Sequence, residues 1–308
     1  MMLLFDVLLA IAVIGLALYV VLGRSLFAAV VVYAVFGLLM AVIWARLGAP
    51  DLALAEAAIG AGLTGAMLML AYRRLVAIKP WQALRPVALS SALAWPVALA
   101  CAGLAVTLVV VLQGLPWPED KAGDQAIAAL EDSAIGNPVT GVLLMFRGFD
   151  TLLEMQVLLV AWLGAVVAQQ TNRTDPPVRP ADVPLVGALL AIVLPVTVLV
   201  AGYLLQTGGQ APGGAFQAGA VLAAAAVLLS LAGRLQPLAT TPWPVAGLLV
   251  LGLLLFAVVG LLPMWRGQAA MHLEAIWLIY LVETAMTISI ATALALLFLG
   301  SAGMETRR

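Results

Sequence analysis

Along this chain, apolar runs of bilayer length alternate with short clusters of Arg, Lys, Pro and polar residues. A hydrocarbon core of about 30 Å is crossed by about 20 apolar residues in a helix. Nine runs meet that requirement: Met2–Leu22, Leu26–Ala45, Leu52–Tyr72, Val87–Leu112, Phe149–Gln169, Val183–Leu205, Gly214–Leu231, Val245–Leu262 and Leu273–Leu299. The pattern predicts an all-α integral membrane protein of about nine transmembrane helices. The first run lacks a basic leading segment and a small-residue cleavage site, so it is expected to be a retained helix rather than a signal peptide.

Composition agrees, since 65% of the residues are hydrophobic and 9% are charged, too apolar for a water-soluble core. A net charge of -1 argues against a nucleic-acid partner. The single cysteine, Cys101, excludes an intramolecular disulfide and a cysteine metal cluster, and its apolar surroundings predict a core position.

The basic residues set an expected orientation, because cytoplasmic loops collect Lys and Arg. Taking alternate loops, one side receives Arg24, Arg73, Arg74, Lys79, Arg85, Arg173, Arg179, Arg234, Arg307 and Arg308. The other receives Arg46, Lys121, Arg147 and Arg266. The amino terminus is therefore expected outside and the carboxyl terminus in the cytoplasm, as an odd helix count requires.

Two longer polar connections divide the runs into groups of three, two and four. The first, from Gln113 to about Arg147, is acidic and expected outside; its stretch DQAIAALED reads either as a solvated loop or as a short surface helix. The second, TNRTDPPVRPAD, is a proline-rich linker of the kind that joins modules. The expected modules are residues 1–85, 86–172 and 183–308. No fixed-period internal repeat is evident, which leaves an inverted-repeat transporter unsupported.

Ionisable groups inside membrane helices are rare, because each costs about 2.5 to 3.5 kcal/mol on insertion scales, and they mark pathways or relays. Glu56 lies inside the third run, about one turn beyond Asp51, which itself suits a helix amino-terminal cap after Pro50. Gly60, Gly62 and Gly65 follow, permitting close helix packing or local distortion of the helix. In MFRGFDTLLEMQ, Asp150 and Glu154 share a helix face, with Arg147 one turn earlier as a salt-bridge partner for Asp150. Glu283 lies near the middle of the last run, while His272 and Glu274 are expected at the interface. LLQTGGQAPGGAFQAG carries Gly208, Gly209, Pro212, Gly213 and Gly214, expected to form a structural hairpin, with polar Gln206, Thr207, Gln210 and Gln217 around it. No nucleophile elbow, P-loop, Rossmann fingerprint or zinc-protease motif is present, so the chain offers no catalytic residues, cofactor site or resident metal site.

Three of these stretches resemble, in order, pieces of multisubunit Mrp-type cation/proton antiporters and membrane-bound hydrogenases, relatives of respiratory complex I. PDLALAEAAIGAGLTGAM resembles the D-like element of the hydrogenases, FRGFDTLLE their E-like element, and GGQAPGGAFQAG with VETAMTISIATALALL the small Mrp B (MnhB) protein. Where the last family's hairpin usually carries His and a third Gly, this chain has Gly209 and Ala215; Leu153 stands where the second usually has Gly. The resemblance implies a multi-pass subunit of a prokaryotic-type cell (inner) membrane. Its partners would be antiporter-like and small Mrp-type subunits. Glu56 and the pair Asp150 and Glu154 would be proton or cation groups, with Na⁺ bound only transiently. A non-conducting subunit that links pumping partners is the alternative.

Overall fold

The computed structural model describes residues 2–23, 25–78, 91–115, 122–130, 133, 135–171, 184–271, 273 and 275–306. Arg24, Lys79, Arg85, Lys121, Arg173, Arg179, Arg307, Arg308, His272, Glu274 and almost all of the proline-rich linker lie outside the described residues.

Each predicted run is helical over most of its described residues. Long apolar sequences with few breakers leave the backbone no partner but itself in lipid, and the helix satisfies every N–H and C=O internally. The membrane-length elements are α1 (Met2–Leu22), α2 (Leu26–Arg46), a composite third helix, α5 (Ser91–Gly114), α8 (Gly148–Thr171), α9 (Pro184–Thr207), α10 (Ala215–Leu231), α11 (Trp243–Leu261) and α12 (Ile276–Leu299). Among the described residues, eight stretches are long and apolar enough to cross a membrane, and α10, at 17 residues, is a shorter apolar helix beside them. The composite helix consists of α3 (Pro50–Ala55), a π-helical segment (Glu56–Leu63) and α4 (Thr64–Ile78). DQAIAALED lies largely within a helix, α6 (Ala122–Leu130), and the connection continues through α7 (Pro138–Gly141) and a second π segment (Val142–Phe146).

α12 is the central helix, mostly buried and flanked by α8, α9, α10 and α11. Its apolar side chains face all directions, with Ile279, Val282, Met286, Ile290, Leu294 and Phe298 in the main core. Small residues let neighbours close on it. A Cβ on Gly219 would stand 2.8 Å from Ile290, and one on Gly252 2.8 Å from the Cα of Met286. At the second crossing Gly252 N–H donates to Ser289 Oγ (2.9 Å), and the Ser289 hydroxyl donates to the carbonyls of Leu248 and Leu249.

Two features depart from the sequence expectation. A four-residue ribbon pairs β1 (Leu235–Leu238) antiparallel with β2 (Gly303–Thr306), closing one end of the bundle. Cys101 is exposed rather than in the core, because α5 is exposed along residues 95–115 and no part of the described chain covers that stretch. Apolarity alone does not distinguish a helix that faces its own chain from one that faces lipid or another subunit.

Candidate functional site: the glycine hairpin and the buried carboxylates

At the end of the bundle opposite the ribbon, α9 ends and the chain turns through residues 208–214 into α10. Glycine is required here. Gly213 and Gly214 have φ of 156° and 112°, a Cβ on Gly208 would collide with the backbone of Gly214, and one on Gly213 with the carbonyl of Leu204. Gly208 N–H and Gly214 N–H both donate to the Leu204 carbonyl, so the hairpin folds back on the last turn of α9. Pro212 stands in the bend, three residues ahead of α10 rather than in its first turn.

The hairpin is clasped from two sides. Asn137 Nδ2 donates to the carbonyls of Gly208 (3.1 Å) and Ala211 (3.0 Å), and Thr140 Oγ1 donates to Gly208 O (2.6 Å). The backbone N–H groups of Gly136 and Asn137 donate to Gly209 O. From the other side comes Asp51, 6% exposed, whose Oδ1 accepts from Gly213 N–H (2.9 Å) and Asn137 Nδ2 (3.4 Å). Asp51 is thus no amino-terminal cap: α3 begins at Pro50 after Ala49, which makes no side-chain cap bond, and the Asp51 carboxylate reaches across to the hairpin. Gln217, on α10, donates from Nε2 to the Asp51 carbonyl (3.3 Å).

Glu283 lies beneath this clasp. It is 3% exposed, and its Oε2 has no hydrogen-bond partner among the described residues. The Cβ position of Gly214 is 3.5 Å from Glu283 Oε1 and 3.6 Å from Gln217 Oε1. One turn along α12, Thr287 Oγ1 donates to the Glu283 carbonyl (2.8 Å) and contacts the Ala215 carbonyl (3.4 Å). Tyr280 donates to Gln206 O, bringing the start of α12 to the end of α9.

Glu56 is the first residue of the π segment and is half-buried. The segment and the start of α4 pack against α2, where a Cβ on Gly37 would stand 3.1 Å from Ala61 N and Cα in the segment, and a Cβ on Gly65 of α4 3.1 Å from Ala34 Cβ. Gly60 lies directly against the Glu56 carboxyl. π turns are uncommon and frequent at functional sites, because the extra residue widens the helix and frees backbone groups.

Asp150 and Glu154 lie on the outer face of α8. Arg147, in the break between the second π segment and α8, ion-pairs with Asp150, and Glu154 is exposed, while its neighbour Met155 is buried against Gly252. Within this chain Asp51, Glu283 and the glycine hairpin come together, whereas the Asp150–Glu154 pair faces outward. Asp51, Asn137, Thr140 and Gln217 were not singled out as site residues by the sequence. The only signal was their polarity beside glycine-rich or proline-led stretches, which is equally common at membrane interfaces.

Residues 11–77 match MbhD, a family of MBH subunits, and residues 185–304 match a domain related to the MnhB subunit of a Na⁺/H⁺ antiporter. No curated protein matches the chain. Among solved structures, the Mrp complex from Dietzia sp. DQ12-45-1b contains a chain 23% identical, with a TM-score of 0.75, over 96% of this chain and 34% of that one. The membrane-bound sulfane sulfur reductase, an archaeal respiratory membrane complex, contains a chain 21% identical, with a TM-score of 0.53, over 66% of this chain and 95% of that one. At those identities the structural likeness establishes the fold, and the chain spans about a third of the length of the Mrp chain it resembles. The two family matches carry the assignment: this protein joins an MbhD domain, residues 11–77, and an MnhB-related domain, residues 185–304, in one polypeptide.

Proposed function

We propose that the chain works within a multisubunit Mrp-like membrane complex and takes part in proton translocation, coupled to Na⁺, through Glu56, Asp150, Glu154 and Glu283. It acts as an ion-transport subunit with no chemistry of its own. Its partners are antiporter-like and small Mrp-type subunits in a prokaryotic-type cell membrane.

The observation that carries this reading is Glu56 at the head of a π segment inside a 27-residue candidate membrane span, between Leu52 and Leu70 where it is the one ionisable residue. A carboxyl in that setting is costly to retain unless it is used, and a π turn loosens the backbone hydrogen bonding beside it. The outward face of Asp150 and Glu154 fits the same reading, since a route through them is completed by a neighbouring subunit. With the amino terminus outside, the hairpin end of the bundle belongs to the outer leaflet and the ribbon end to the cytoplasm. The starts of α3, α8, α10 and α12 then open on one side. The modules are residues 1–85, 86–172 and 183–308.

A scaffold that joins pumping partners without conducting is favoured by a different observation, the exposure of α5 from Trp95 to Gly114. Glu56→Gln separates the two readings. Gln preserves volume and hydrogen bonding but carries no exchangeable acid proton, so cation/proton exchange in vesicles is expected to be lost while the complex assembles. Glu56→Asp retains part of the activity. Full exchange by an assembled Glu56→Gln complex would establish the scaffold reading instead.

A further inference from the structure

The geometry points to a binding site for a small monovalent cation formed by Glu283 and Gln217 beneath Gly214, inside the MnhB-related domain. This rests on the reading of the chain as an ion-transport subunit, and adds to it a specific place where an ion is held.

The Gln217 amide has a fixed orientation. Its Nε2 donates to the Asp51 carbonyl. Reversing the amide would set two carbonyl oxygens against each other, so the contact with Asp51 determines which end faces inward. The end facing Gly214 is therefore the oxygen, which borders the same point as Glu283 Oε1. Two acceptors thus border one position, at 3.5 and 3.6 Å, and the other carboxylate oxygen, Oε2, is buried without a hydrogen-bond partner among the described residues. Convergent acceptors beside a buried carboxylate repel one another unless something positive sits among them.

Nearby groups do not relieve this. The Asp51 carboxylate accepts from Gly213 N–H and Asn137, both of which are committed to the hairpin. Thr287 directs its hydroxyl proton to backbone carbonyls, which leaves its remaining lone pair as one more acceptor. Gly214 is the residue ahead of α10, so the carboxylate lies near the positive end of that helix, which offsets part of the cost of a buried anion without supplying a partner for Oε2. An oxygen-only pair of carboxylate and amide suits a hard cation rather than a soft transition metal. A single carboxylate at the site balances one positive charge. Glycine at position 214 leaves open the space that a side chain would otherwise fill.

The meeting of three modules here gives the site a means of control. Asp51, in the MbhD domain, orients Gln217 and holds Gly213, so movement of α3 changes the site without touching the ion. Asp51 and Asn137 are positioning residues in this sense.

The test measures binding rather than transport, which keeps its failure separate from failure of the transport reading. The purified complex containing the full chain is equilibrated with radioactive sodium or rubidium, and retained cation is counted per complex. Wild type is expected to hold one equivalent more than Glu283→Gln, whatever other sites the partner subunits contain. Gln217→Leu, which keeps the carboxylate, is expected to weaken that equivalent about tenfold or more. In parallel, a carbodiimide that modifies buried carboxyls is mapped to Glu283 by mass spectrometry; the cation, but not choline at equal ionic strength, slows the labelling. Equal retention of both cations by wild type and an assembled Glu283→Gln complex would overturn the site and leave a bridging water as the partner of Glu283. So would labelling of Glu283 at a rate independent of the cation.

Discussion

Replacing Asp51 with Ala is expected to release the glycine hairpin. The Asp51 carboxylate accepts one well-formed bond, from Gly213 N–H at 2.9 Å, and one long contact from Asn137 at 3.4 Å. Asn137 keeps its bonds to Gly208 and Ala211 in the variant, so the second contact contributes little. The Gly213 amide is buried, and Asp51 Oδ1 is its acceptor among the described residues. A charge-assisted bond of this kind is worth about 1.5 to 3 kcal/mol, and a buried donor left unpaired costs a similar amount. Taking about 2 kcal/mol, and about 1.4 kcal/mol per factor of ten, local opening becomes about 30-fold more frequent. Peptide-resolved hydrogen exchange on the purified complex reads this directly at the Gly213 amide, because exchange follows local opening. Asp51→Asn retains an oxygen acceptor and loses only the charge, so its effect should be about 1 kcal/mol, or about fivefold. The Met271 amide, which donates to Gly260 O at the same end of the bundle, is the internal control and should not change. Exchange at Gly213 within about twofold of wild type in Asp51→Ala would refute the clasp as the force that holds the hairpin.

Three further outcomes are expected. Gly37→Leu should impair assembly or lower the thermal stability of the complex by about 1 to 3 kcal/mol through overpacking, since even a Cβ there would approach Ala61 N and Cα to 3.1 Å; unchanged melting would show that α2 and the π segment can separate freely. Cysteines at Asp124 and Thr240, exposed positions in α6 and in the turn after β1, should label from opposite sides of the membrane, Asp124→Cys in intact cells and Thr240→Cys only after permeabilisation; the reverse pattern would invert the proposed orientation. The chain reconstituted alone should give no cation/proton exchange, and robust exchange in such liposomes would overturn its role as one subunit among several.

The apolar runs determined the helices because lipid offers backbone groups no partner: any uninterrupted stretch of about 20 apolar residues must satisfy them within itself. The same logic made Glu56 and Glu283 visible, since a carboxyl within such a stretch needs an explanation whatever surrounds it. The glycine hairpin was legible too, because a cluster of glycines around a proline is a turn by steric necessity. Which helix stands at the centre was not legible. α5 and α12 are both largely apolar, yet α5 is exposed from Trp95 to Gly114 and α12 is the core, because chain-facing and lipid-facing residues are chemically alike. Asp51 looked like a cap from its place after Pro50, and only tertiary contact from Gly213 and Asn137 made it a clasp. Gln217 and Asn137 are single polar residues of a kind that interfaces carry in number, and their selection depended on which backbone groups the folded hairpin left unpaired. Local chemistry thus specified the elements and the costly residues, while packing decided which of those residues meet.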